Sequence, residues 1–294
     1  MKQRGNTGRL SLILLWILFI VLVSAIVYLA VSLILPLSRH VVPGTQSPPA
    51  PTAQTTAPVQ WGGPYNYGGI PVPQPVFHDP IIVLTNTGYL VGYCEAKKDP
   101  VWVCYRLFKV NSLHAPPRPQ GFQVDMRTRA RISQHDYSGG GYDRGHMAPN
   151  YAIALCYGEQ AQLETFLMSN IIPQISSLNR RVWEHLEQAE IRDYAQRYGQ
   201  VWVIDGPVFG AKPRHLRCGV EIPKACYKIL VEEEHGRPKV LAFIMPQSVT
   251  GTEAPAQYLT SVAEIEKETG LNFFCGLPKD LRDQVEVVEE HGMW

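Results

Sequence analysis

The sequence predicts an α+β domain with a central antiparallel sheet flanked by helices, preceded by one transmembrane helix. Three observations carry this. Short runs rich in Val, Ile, Tyr and Trp recur between Ile81 and Ile244 with turn residues between them. Three longer segments have apolar residues at helical spacing. The N-terminal stretch from Leu10 to Leu35 holds no charged residue over 26 positions. The expected organisation is a short N-terminus (1–9), a membrane helix (10–37), a proline-rich linker (38–75) and one folded domain (76–294).

As a helix, the uncharged stretch would run about 39 Å, longer than the ~30 Å hydrocarbon core of a bilayer. Val23-Ser24-Ala25 resembles a signal-peptidase site, but the apolar run continues ten residues past Ala25, longer than a signal h-region. Retention of the helix is therefore expected. Lys2, Arg4 and Arg9 precede it, and only Arg39 and His40 lie close on the far side, so residues 1–9 are expected in the cytoplasm. The protein would then be single-pass in an inner or plasma membrane, with its domain in the periplasm or outside the cell. A mitochondrial inner membrane with the domain in the intermembrane space is the alternative.

From Val41 to Pro80 there are ten prolines and one charged residue, Asp79, which suits an extended, semi-rigid linker. Its later part, from Trp61, has enough aromatic surface to pack along the domain instead. Beyond it, Ile81–Leu84, Tyr89–Tyr93 and Val101–Tyr105 read as strands, the last two joined as a hairpin through Lys97-Lys-Asp-Pro100. Val201–Ile204, Tyr227–Val231 and Val240–Ile244 are further strands. Gln160–Met168, Arg180–Tyr198 and Tyr258–Thr269 read as helices.

The most informative stretch is Gly141-Tyr-Asp-Arg-Gly-His-Met-Ala-Pro-Asn150, which sets an acid, a guanidinium, a glycine and an imidazole side by side. Arg144 can hold a phosphate in bidentate fashion and His146 can take a proton from water near neutral pH, with Gly145 expected to form a tight bend. A solvated turn would explain four letters equally well, so a second block matters. It runs from Ser169-Asn170 through Pro173-Gln174 to Asn179, Trp183 and Glu187, entering a helix. Asn179 near that helix start could be an N-cap or a neutral oxygen ligand. Mg²⁺ keeps most of its waters and needs only one or two protein oxygens when a phosphate supplies another. In a regular helix Glu187 lies about 12 Å along and about 80° around from Asn179, which suits a role through bound water.

Together these blocks resemble the DNA/RNA non-specific endonuclease family, the ββα-metal (His-Me finger) nucleases with a DRGH motif that include membrane-bound bacterial nucleases and mitochondrial endonuclease G. The likeness extends to Val203-x-x-Gly206-Pro207 and Glu264-x-Glu-x-x-Thr-Gly-Leu271. It implies that His146 is the general base, Asn179 the sole direct protein ligand of Mg²⁺ (with Mn²⁺ as a substitute), Glu187 a holder of metal-bound water, and Arg144 a brace on the phosphate. Arg118, ahead of Phe122-Gln-Val-Asp125, is the nearest match to a further arginine of the family, at loose spacing. The reaction implied is in-line hydrolysis of DNA and RNA, single- or double-stranded, leaving 5′ phosphates. A homodimer is a further implication of the family, although no apolar stripe in the sequence marks an interface.

The formal net charge is only +1, low for a protein that lives by nucleic-acid affinity, but its distribution is uneven. Between Arg106 and Asn150 seven Lys/Arg face three acids, enough for a groove that reads phosphates rather than bases. Gly139-Gly-Gly141 is followed by no Gly-Lys-Ser/Thr, so it is a poor match to a nucleotide-triphosphatase loop. Cys94 and Cys104 lie symmetrically about Asp99 and could bridge across the hairpin, and Cys218 and Cys226 could close a small loop; buried thiols are the other reading. No cysteine spacing matches a zinc site. The competing function class is a membrane-tethered nucleic-acid-binding receptor that keeps the fold with little or no turnover.

Overall fold

The computed structural model describes residues 61–287 and 292–294. The expected membrane helix and the linker up to residue 60 lie outside the described residues. Among the described residues no helix is long and apolar enough to cross a membrane.

The core is a seven-stranded antiparallel sheet. Its strands are β1 (Ile81–Asn86), β2 (Tyr89–Cys94), β3 (Asp99–Phe108), β6 (Gln200–Val208), β7 (Ala225–Glu234), β8 (Arg237–Pro246) and β9 (Leu259–Thr260), in the spatial order β9-β8-β7-β6-β3-β2-β1. Two short strands, β4 (Asp143–His146) and β5 (Ile171–Gln174), form a separate antiparallel pair. Alternation along the strands sends side chains to two cores. On one face Tyr105, Val203, Leu230 and Phe243 pack with the helices that follow β4 and β5. On the other Trp102, Trp202, Ile229 and Ala242 pack with the C-terminal helices.

The helices are α1 (Asn150–Tyr157), α2 (Glu159–Thr165), α3 (Trp183–Ala189), α4 (Val262–Thr269) and α5 (Lys279–Val287). The expected helix over 180–198 is not uniform. A π-helical turn, Leu178–Val182, leads into α3, a second π turn, Glu190–Tyr194, follows it, and Ala195–Tyr198 closes the segment. The helix expected from Tyr258 begins only at Val262, where Ser261 accepts a bond from the Glu264 amide as its N-cap.

Residues 61–75, grouped with the linker by composition, belong to the folded body. Tyr67 is fully buried against Trp202, and Val72–Pro73 pair with Leu271–Asn272. Of the two readings of the cysteines, bridges or thiols, the structure shows thiols. All six cysteines are free thiols. The β2–β3 register pairs Cys94 with Asp99 and Leu90 with Cys104, so the turn centre lies before Asp99 and the two sulfurs never face each other. Cys226 is buried beside Gln174, whose Nε2 donates to its Sγ over 3.3 Å, and makes no bridge to Cys218.

Candidate active site

The DRGH residues form a strand rather than a tight bend. Asp143, Arg144, Gly145 and His146 pair with Gln174, Pro173, Ile172 and Ile171. The sharp change of direction comes earlier, at Gly139 and Gly141, whose φ values of 73° and 79° favour glycine. Gly145 is needed for space instead. A Cβ there would sit 1.9 Å from Oε1 of the buried Gln174.

Alternation along β4 sends Arg144 and His146 the same way. Beyond His146 the chain is locked by the buried Asn170, whose Oδ1 accepts from the Ala148 amide at 2.9 Å while its Nδ2 donates to the carbonyls of Ala148 and Thr165. The motif asparagine thus fixes the exit of the histidine strand, and the chain then enters α1.

A cavity of about 390 Å³ opens here, lined among others by Arg118, Arg144, His146, Asn179 and Glu187. All five residues singled out in the sequence meet in it. His146 is walled by Phe122 (ring centroids 5.3 Å apart) and Phe166 (4.9 Å). Arg118 lies over Phe166 at 4.9 Å and Arg144 over Phe122 at 5.9 Å. The two aromatic rings therefore hold two cations beside the imidazole. Burial, with the Arg118 charge second, pushes the His146 pKa down to about 3. Its Nε2 is buried without a hydrogen-bond partner.

Arg144 is already anchored: Nε donates to the Gln134 carbonyl over 2.9 Å, and Nη2 bonds the same oxygen. Its Nε edge is therefore spent, and the Nη1 side is left for a phosphate.

Asn179 sits inside the π turn and is not a cap; the N-cap is Ser177. Its Nδ2 donates to Asp143 Oδ2 over 3.1 Å. That bond consumes the donor side of the amide and leaves Oδ1 for a cation. Asp143 also takes a two-point contact from Arg180 at 2.7 and 2.6 Å.

The irregular helix changes the expected phase of Glu187. A π turn rotates less per residue than an α-helix, and Asn179 lies inside one. The offset is therefore smaller than the about 80° of a regular helix, and both side chains line the same cavity. Glu187 lies further along the axis, and burial pushes its pKa up to about 8, opposed by Lys228.

Among the described residues no group of three or more His, Cys, Asp or Glu side chains could cage a metal. One oriented amide oxygen and one carboxylate in an open polar cavity fit Mg²⁺, which keeps its waters, better than a metal needing a full protein cage. Sequence reasoning missed Phe166, Arg180 and the bracing role of Asp143. His135, His185 and His215 are exposed and do not line the cavity.

Residues 71–280 match the family model described as DNA/RNA non-specific endonuclease, and the chain belongs to that family. The "Nuclease EXOG, mitochondrial" of Danio rerio is 31% identical over 213 residues, covering 66% of this chain and 61% of that protein. The protein of the same name from Xenopus laevis is 31% identical over 216 residues, covering 65% of this chain and 58% of its own. A "Nuclease" from Nostoc sp. is 28% identical over 216 residues, with 69% and 77% covered. The chain thus spans about three fifths of the length of the two EXOG relatives. A solved structure of an EndoG/EndoGI complex superposes with a TM-score of 0.60 at 26% identity, covering 68% of this chain and 88% of that one.

Proposed function

We propose that the protein is a membrane-anchored, sugar-non-specific endonuclease that hydrolyses DNA and RNA with Mg²⁺ and leaves 5′ phosphates. The observation that carries this reading is the convergence of Arg118, Arg144, His146, Asn179 and Glu187 on one cavity from separate parts of the chain. Family membership and relatives named as nucleases support it.

In the mechanism, Arg118 and the free side of Arg144 seat the phosphate. His146 is neutral at physiological pH and accepts the proton of an attacking water, through Nδ1 since Nε2 is enclosed. A pKa near 3 is low for a base. The phosphate beside Arg118 offsets the positive charge that helps depress it, which raises the basicity of His146 once substrate is bound. Asn179 Oδ1 and Glu187 would hold Mg²⁺, the latter through water, and the ion supplies charge neutralisation for the leaving 3′ oxygen. Asp143 keeps Asn179 turned toward the cation. Mn²⁺, with the same preference for oxygen donors, would substitute.

The anchor rests on the uncharged run Leu10 to Leu35, with residues 1–9 cytoplasmic and the domain across the membrane, periplasmic or extracellular. Relatives named as mitochondrial support the alternative, an inner mitochondrial membrane with the domain in the intermembrane space. Carbonate extraction and protease protection of the full chain separate these settings. A homodimer remains the family-based expectation, read by sedimentation.

The deciding experiment is cleavage of plasmid DNA and of RNA by the full chain with Mg²⁺, with EDTA, and as His146→Ala. Metal-dependent cleavage of both polymers, lowered about 10²- to 10⁴-fold in the variant, is expected. Salt-sensitive retention of DNA without fragments under any divalent metal would make it a tethered receptor instead.

A further inference from the structure

Directly beneath α3, in the middle of the sheet, lies a polar cluster that the mechanism does not use. Lys228 of β7 is fully buried. Its Nζ is 2.8 Å from Glu190 Oε1 and 3.0 Å from Asp205 Oδ2, both equally buried. It also donates to the Tyr105 hydroxyl over 2.9 Å, and that hydroxyl donates to Glu190 Oε2 over 2.8 Å. The ammonium lies 4.4 Å over the ring of Trp183.

The arrangement links sheet to helix. Lys228 is directly opposite Asp205 across β7 and β6, and Tyr105 stands on the next strand, β3. Glu190 and Trp183 both belong to the segment that carries the site, and they straddle Glu187 at i+3 and i−4, positions that share its helix face. Two contacts of one ammonium thus hold the helix on either side of Glu187. A buried ion pair is costly to desolvate, and a well-packed apolar group of the same volume would often stabilise the fold as well or better. Cohesion of the core alone does not call for a lysine here; a fixed position for the overlying helix does.

We propose that Lys228 is a positioning residue for the cation site: clamped between Glu190 and Asp205 and seated on Trp183, it fixes the helix bearing Asn179 and Glu187 against the sheet and so sets the affinity for a divalent cation. The proposal rests on the cation site assigned under Proposed function. Groups that orient a metal site from behind its ligands typically change metal affinity or activity about 10- to 100-fold when lost.

The test is Mn²⁺ binding to the full chain, followed by electron paramagnetic resonance without nucleic acid, in wild type, Asn179→Ala, Lys228→Met, and the combined Lys228→Met/Glu190→Gln/Asp205→Asn. Lys228→Met alone strands two buried carboxylates and can fail to fold. The combined variant removes the charges together, and a folded combined variant has an unchanged far-ultraviolet circular dichroism spectrum. Tyr105→Phe is a milder third probe, since it removes only the hydroxyl joining Lys228 to Glu190. Mn²⁺ affinity weakened about 10- to 100-fold in the folded combined variant, with a smaller loss in Tyr105→Phe, is the expected result. Wild-type Mn²⁺ affinity in a folded combined variant overturns the positioning role and leaves the cation site standing. Should the combined variant not fold, unchanged affinity in Tyr105→Phe overturns it equally. Wild-type binding that Asn179→Ala does not alter removes the cation site, and both readings fall together.

Discussion

Asn179 and Asp143 are joined by a 3.1 Å hydrogen bond from the Asn179 amide nitrogen to a carboxylate oxygen of the motif aspartate. An amide has one donor end and one acceptor end, so committing the donor to Asp143 aims the oxygen elsewhere. Burial alone would raise the Asp143 pKa, but bonds from Arg180 and Asn179 outweigh it and hold the carboxyl below its usual range. On the proposed reading, the acid of the DRGH motif is an anionic brace for a neutral ligand.

Asp143→Asn keeps the shape but replaces an acceptor-only group by an amide that can face Asn179 with either end. The orientation of Asn179 is then no longer fixed, and Mn²⁺ affinity should fall about 10- to 100-fold while the fold persists. Titration of the variant with Mn²⁺ measures this directly. Unaltered affinity would mean that Asn179 is aimed by something other than Asp143.

Glu187 gives a pH signature. Burial raises its folded pKa to about 8, above the ordinary carboxylate value of 4.5. Between those values the folded state holds a proton that the unfolded state has released, so the stability from this group is present at low pH and lost as pH rises through the window. A cation favours the charged form and releases the proton. Metal affinity should therefore climb with pH up to about 8 and level off above it, and Glu187→Gln should flatten the profile. Isothermal titration with Mn²⁺ between pH 6 and 9 tests this; equal slopes in both proteins would exclude Glu187 from the site.

The central strands were legible because Val, Ile and aromatic runs bounded by turn residues favour a pleated surface, although here both of its faces are buried. Asp143-Arg-Gly-His146 hid its strand because none of the four residue types favours β structure, and the pairing comes from Ile171–Gln174 further along the chain. The helical offset of Glu187 from Asn179 held only for a regular helix, and a period of 3.6 cannot reveal the π turn that contains Asn179. Phe166 was invisible as a site residue, since only the fold brings it to His146. Lys228, a single charge in the apolar run Ala225–Val231, was the one local signal of the buried cluster, and its meaning depends on Glu190 and Asp205 arriving from elsewhere.

Gly145 and Gln174 should behave as a coupled pair. Gly145→Ala would drive a methyl to 1.9 Å from the Gln174 side chain, which is buried and cannot swing away. Overpacking of this kind costs about 1–3 kcal/mol. Gln174→Ala vacates the space, so the double variant should recover part of the loss, giving a coupling in a denaturation cycle of about 0.5–3 kcal/mol. Strictly additive losses would show that the Gln174 side chain is not what excludes a methyl at position 145.

On the proposed reading, Arg118 links substrate binding to the base, so its removal should act in two separable ways. As a phosphate contact, its loss should weaken nucleic-acid binding uniformly across sequences and lower the slope of log affinity against log salt by about 1. As the charge that, after burial, depresses His146, its loss should let the imidazole pKa rise from about 3. Because the folded value lies below the unfolded one of about 6.5, unfolding takes up a proton in that window, and stability contributed by neutral His146 is present above pH 6.5 and drains away as pH falls toward 3. Arg118→Ala narrows the window, so the variant should lose less stability on acidification than wild type while binding substrate more weakly. Titration of the His146 ring resonances and thermal melts at pH 4 to 7 read the first effect, and salt-dependent DNA binding reads the second. An unchanged His146 titration would leave burial alone as the cause of its low basicity and confine Arg118 to the phosphate.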